Sequence, residues 1–115
     1  MKEFFRSFIY AVNGIRASFR DQRNLKVQFI IALITVLAGF YFGITATEWS
    51  LILLSITAVI GFEMINTAME SLVDLVTTER NPLAGKVKDV AAGAVLFASI
   101  IAVIIGVIIF RKYLM

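Results

Sequence analysis

Four polar side chains, Glu63, Asn66, Glu70 and Asp74, interrupt an otherwise apolar stretch in the middle of the chain. At about 100° per residue they fall near 0°, 300°, 340° and 20°, so a helix would carry all of them on an arc of roughly 80°. No Lys or Arg lies within the stretch to neutralise them. Ionisable groups inside a membrane-crossing segment are expensive and by default mark function. Such a strip can take a proton from an alcohol, hold a hard divalent cation through oxygen ligands, or line an ion or proton path. It can also do no more than pair with a neighbouring helix or subunit.

Other chemistries are excluded by composition. The chain has no Cys and no His, so it has no thiolate or imidazole metal site, disulfide, Cys nucleophile or His general base. Carboxylates, Lys, Arg and hydroxyls must do any work. Phosphoryl transfer needs an acceptor base, metal-balanced phosphates and a cation near the γ-phosphate. Those residue types are present, although neither G-x-x-x-x-G-K-[ST] nor G-x-G-x-x-G occurs.

The elements that must position these groups follow from length and hydropathy. Of 115 residues, 60% are hydrophobic and 17% charged, against about 45–50% and 25% in soluble domains. A chain this short has too little interior to hide that surface from water. Two uncharged stretches of 21 residues, Val27 to Thr47 and Val90 to Phe110, each match the ~20 residues needed to cross a ~30 Å hydrocarbon core. The polar strip lies in a third apolar run that starts at Trp49. The expected fold is an all-α integral membrane protein, a single unit over residues 1–115, with a surface helix at 1–24 and membrane helices at 25–45, 48–78 and 82–113. If the middle span takes about 20 residues from Trp49, Glu70 and Asp74 emerge at its boundary and Glu63 lies roughly 9 Å deeper.

Charge sets the expected orientation. Six basic residues, Lys2, Arg6, Arg16, Arg20, Arg23 and Lys26, precede any long apolar run, which argues against a cleavable signal peptide. Arg80, Lys86 and Lys88 follow the second span, whereas the link at Thr45 to Glu48 has no basic residue. These nine outweigh Arg111 and Lys112 and place the N-terminus and the second link in the cytoplasm. The net charge of +3 then collects on one membrane face, to meet anionic lipid or a polyphosphate. No nucleic-acid partner is expected.

Phe4, Phe5, Phe8, Ile9, Val12, Ile15 and Phe19 recur at three- and four-residue spacing among Arg6, Asn13, Arg16 and Arg20. They form an amphipathic helix that either lies at the interface or packs on the spans. Asn81 followed by Pro82 suits an N-cap and first helical position. Lys86, Lys88 and Asp89 then occupy the first two turns of a long helix, where free N–H groups and basic side chains suit phosphate. For Lys86 alone, ordinary positive-inside anchoring is the better explanation. Ala94, Ala98, Ala102 and Gly106 form a small-residue stripe that admits a close helix.

Glu63-Met-Ile-Asn66-Thr-Ala-Met-Glu70-Ser-Leu-Val-Asp74 resembles the E-x-x-N-[ST]-A-x-E-x-x-x-D signature of the bacterial diacylglycerol kinase and undecaprenol kinase family. Gly14-Ile-Arg16-Ala and the run Ala84-Gly-Lys-Val-Lys88-Asp89-Val-Ala-Ala-Gly-Ala extend the likeness over nearly the whole chain. The resemblance implies a lipid kinase of the bacterial inner membrane that uses ATP and magnesium and works as a homotrimer with shared active sites. By that likeness Glu63 is the catalytic base, Asn66 a polar support near it, Glu70 a metal ligand, and Lys88 with Asp89 part of the nucleotide site. Tyr10, Glu79, Arg80 and Asn81 match positions near the nucleotide. Gln22 stands where many relatives carry a second metal-binding Glu, and its carbonyl oxygen offers the metal one charge fewer. The Asn81-Pro82-Leu83-Ala84 segment and the run after it look more like the undecaprenol kinase branch, with diacylglycerol as the alternative acceptor and phosphatidic acid as its product.

Overall fold

A computed structural model describes residues 1–115. Four helices and no strands make up the chain: α1 (Lys2–Asp21), α2 (Arg23–Phe42), α3 (Ala46–Val76) and α4 (Pro82–Leu114). The last three are each long and apolar enough to cross a membrane. The 31 and 33 residues of α3 and α4 correspond to about 46 and 50 Å at 1.5 Å per residue. Both therefore outrun a ~30 Å hydrocarbon core.

Local chemistry sets each boundary. Gln22, with φ −117° and ψ 113°, leaves the helical region and separates α1 from α2, so the surface helix expected to reach residue 24 stops at Asp21. The apolar run that reads as a span to residue 45 is closed earlier by Gly43 in the left-handed region, φ 63°. Gly pays no Cβ penalty there. Thr45 opens α3 with a capping box, its hydroxyl accepting from the Glu48 N–H at 3.2 Å while the Glu48 carboxylate accepts from the Thr45 N–H at 2.9 Å. Asn81 caps α4 as its sequence suggests, accepting from the N–H groups of Leu83 at 2.8 Å and Ala84 at 3.4 Å, with Pro82 following.

α3 and α4 pack along each other most extensively, and α2 leans on α3. The core sits at the α2–α3 turn, where Ile44, Ile52 and Ile109 are buried beneath Phe42, Trp49, Phe110 and Tyr113. Glu48 locks this end, accepting from the Tyr113 hydroxyl and pairing with the Lys112 ammonium. Lys112, which by charge counting argued against the inferred orientation, thus serves as the partner of a buried acid. Gly39 lies so close to Trp49 that an added Cβ would sit 2.7 Å from the indole.

α1 does not pack along the spans of its own chain. None of its residues is buried, and its link to the rest includes Phe19 set edge-on against Phe29 at 5.3 Å. The apolar face of Phe4, Phe5, Phe8, Ile9 and Ile15 stays exposed. The small-residue stripe of α4 also receives no close helix at Gly106, where nothing of this chain lies within 4 Å of an added Cβ. Ala102 and Gly106 instead line a cleft of about 280 Å³ between α2 and the α3–α4 pair.

The Gly39 contact gives a stability prediction. Gly39→Ala forces the indole aside, an overpacking that costs about 1–3 kcal/mol, and lowers the thermal midpoint in detergent micelles. Gly14→Ala, with open space around it, does not lower it.

Candidate active site

α3 carries Glu63, Asn66, Glu70 and Asp74 as one ladder, about 16 Å long at 1.5 Å per residue. Glu63 is 4% exposed and Asn66 8%. The Glu70 and Asp74 rungs are more open. α4 meets the outer end, where the Lys88 ammonium pairs with Asp74 at 2.8 Å. α2 meets the inner end, where Gln28 Nε2 donates to Glu63 Oε2 at 3.5 Å. Between them Asn66 Nδ2 donates to Glu70 Oε1 at 3.1 Å. Asn66 therefore supports Glu70 by hydrogen bond rather than Glu63, its expected neighbour in function.

The electrostatics differ along the ladder. Glu63 has no cation within ion-pairing distance, and Gln28 is its one side-chain hydrogen-bond partner. A buried carboxylate held this way is available to a proton donor. Two amide oxygens, Gln28 Oε1 on α2 and Asn66 Oδ1 on α3, are buried with no donor. Native proteins leave few such atoms, since each carries a desolvation penalty. Both acceptors are open to a further donor.

The remaining expected residues are scattered in a single chain. Tyr10 is 68% exposed on α1. Glu79 and Arg80 are exposed in the α3–α4 link, and Asn81 spends its side-chain oxygen on the α4 cap. Asp89 is exposed one residue beyond Lys88. Gln22 is half-buried at the α1–α2 break and makes no side-chain hydrogen bond, so its carbonyl oxygen is free. Glu70 likewise keeps Oε2 without a protein partner. One chain brings no three acidic groups together as a metal cage. Magnesium seldom needs one, because it is commonly held by one or two carboxylates, substrate phosphates and water. Glu70 and Gln22 offer the right hard oxygens for that mode.

Sequence reasoning passed over Gln28, which hides in a stretch counted only as uncharged. The available signal was that it is the sole amide between Val27 and Thr47.

A membrane helix bundle with a half-buried acidic ladder and an apolar cleft at its inner end suits a protein that acts on lipid. Comparison with known proteins agrees. The family described as prokaryotic diacylglycerol kinase matches residues 9–110. The chain is 39% identical over 110 residues, 96% of its length and 89% of the relative's, to a Bacillus subtilis protein named undecaprenol kinase. It is 30% identical to the diacylglycerol kinase of Haemophilus influenzae, covering 88% of this chain and 86% of that one. To the diacylglycerol kinase of Escherichia coli K12 it is also 30% identical, over 83% and 78% of the two chains. The protein is a multi-pass membrane lipid kinase. It belongs to the prokaryotic diacylglycerol kinase family, which makes it an enzyme rather than an ion path.

The orphaned Asn66 oxygen yields a prediction that separates folding from activity. Asn66→Leu removes a buried unsatisfied acceptor, so the thermal midpoint holds or rises while phosphoryl transfer is lost. Stability and turnover measured on one preparation check both halves.

Proposed function

We propose that the protein transfers the γ-phosphoryl group of ATP to the hydroxyl of undecaprenol at the cytoplasmic face of the bacterial inner membrane. The observation that carries this reading is Glu63, a buried carboxylate with no paired cation, beside the apolar cleft through Gln28. A lipid alcohol whose chain occupies the cleft brings its O–H to that carboxylate. Glu63 takes the proton, the alkoxide-like oxygen forms a bond to the γ-phosphorus, and the bond to the leaving ADP oxygen breaks. Lys88, paired with Asp74 at the outer end of the ladder, is the cation that offsets charge on the transferring group. Asp89, Tyr10, Glu79, Arg80 and Asn81 serve the nucleotide.

Glu70 and Gln22 would hold Mg²⁺, which when bound neutralises phosphate oxygens and fixes their geometry. Asn66 keeps the Glu70 carboxylate turned for that role. The working enzyme is a homotrimer with shared sites. In its support, Tyr10, Glu79 and Arg80 are exposed in one chain and stand ready to complete a neighbour's site. Preference for undecaprenol is supported by the 39% identity to the relative of that name. Diacylglycerol is the second reading, favoured by the relatives named diacylglycerol kinase.

The test is a radiolabelled ATP assay in mixed micelles that offers undecaprenol and diacylglycerol separately. Label enters undecaprenol with the higher kcat/KM. The reverse preference replaces the acceptor. Glu63→Gln, close in shape but unable to accept a proton, loses about 10²–10⁴-fold in turnover while remaining helical and membrane-inserted. Wild-type turnover in that variant removes Glu63 from the mechanism.

A magnesium titration at saturating ATP and lipid checks the metal site. Because affinity for a hard cation rises with ligand charge, Gln22→Glu lowers the concentration needed for half-maximal rate. Glu70→Gln raises it sharply or ends activity. An unmoved midpoint in both variants places the metal elsewhere.

A further inference from the structure

Gln28 stands at the meeting point of three features. Its Nε2 donates to Glu63 Oε2 at 3.5 Å, its Oε1 is buried without a donor, and its side chain lines the cleft between α2 and the α3–α4 pair. Of the cleft's hydroxyls, Thr35 donates to the Ile31 carbonyl at 2.8 Å and Ser55 to the Leu51 carbonyl at 2.8 Å, while that of Ser99 makes no hydrogen bond but does not reach Glu63 either. The carboxamide orientation follows from chemistry, because turning Oε1 toward Glu63 would set two acceptors against each other. The one partner the fold gives this amide is the Glu63 carboxylate. It caps no helix, pairs with no backbone group, and leaves an acceptor unsatisfied at a cost to folding.

We propose that Gln28 is a positioning residue for phosphoryl transfer. It anchors one oxygen of the Glu63 carboxylate so that the other faces the mouth of the cleft, where the acceptor hydroxyl arrives. Glu63 lies about four turns from the Glu48 end of α3 at 3.6 residues per turn, and its long side chain has free rotamers unless something fixes it. The Gln28 amide is the one side-chain group that does so. The separation of 3.5 Å is that of a resting site, since catalytic hydrogen bonds are often long before substrate binds and tighten in the complex. Gln28 thereby links occupancy of the cleft on α2 to the aim of the base on α3. The inference rests on Glu63 being the base, as proposed above.

The experiment is steady-state kinetics of Gln28→Leu, Glu63→Gln and the double variant, in mixed micelles with ATP and undecaprenol, each checked for helicity and thermal midpoint. Gln28→Leu drops kcat by roughly 10–10²-fold, the scale of a misplaced reacting group. Its KM for ATP stays within about two-fold and its helicity is kept, while its midpoint falls, because buried Glu63 loses its one side-chain donor. On the Glu63→Gln background the same substitution changes nothing further, because residues that act as a unit are non-additive. Gln28→Met, linear and closer in shape, carries the same expectation and replaces Leu if that variant unfolds. Unchanged kcat in both substitutions overturns the proposal. So does an equal loss in the presence and absence of the Glu63 carboxylate, or a loss confined to KM for ATP. Wild-type turnover of Glu63→Gln alone is a different failure, since it removes the base and with it the need to aim one.

Discussion

A carboxylate inside an apolar bundle must find a partner or lose its charge, and the arrangement of α3 answers to that constraint at each rung. At the turn end Glu48 is satisfied several times over, by its own capping box, a tyrosine hydroxyl and a lysine. At the opposite end Asp74 meets Lys88 in the open. Only the middle is left lean: Glu63 has a single long amide contact and Asn66 an empty acceptor. The same helix thus solves the problem fully at the turn and incompletely in the middle of the ladder. Incomplete satisfaction is tolerable because α4 runs beside α3 for most of its length and holds it in place.

The cleft has a related origin. α2 is fastened to α3 at the turn, through Gly39 against Trp49 and through Ile44 in the core. Beyond the turn no comparable interlock draws it against α4, and the small residues Ala102 and Gly106 leave room rather than closing it. An apolar space bounded by three helices, with an amide at its head, is the shape expected of a site that takes long-chain molecules from the side.

Much of this was legible in the sequence because its signals are local. The acidic arc needs only helical periodicity, the α4 start needs only Asn81 and Pro82, and the spans need only length and hydropathy. What stayed hidden depends on residues distant along the chain. Glu48 and Tyr113 are 65 positions apart, Gln28 and Glu63 are 35 apart, and no periodicity within one helix announces such pairs. Asn66 shows a subtler limit: its place on the arc was evident, yet which carboxylate its amide would choose depended on side-chain geometry. The residues expected at a nucleotide were read by likeness alone, and a single chain leaves Tyr10, Glu79, Arg80 and Asp89 exposed.

Rigid helices anchored by charge at two heights have a mechanical consequence. Glu48 and Glu70 are separated by about 33 Å of continuous α3 at 1.5 Å per residue, close to the ~30 Å of a bilayer interior. Each end resists being drawn into hydrocarbon, so the pair works as a calliper that registers the molecule against bilayer thickness. A thicker or thinner membrane tilts or strains the bundle at a modest cost per ångström. It also alters the depth in the leaflet at which buried Glu63 sits. Lipid composition can therefore move the acidic ladder relative to the membrane surface without touching any of its residues.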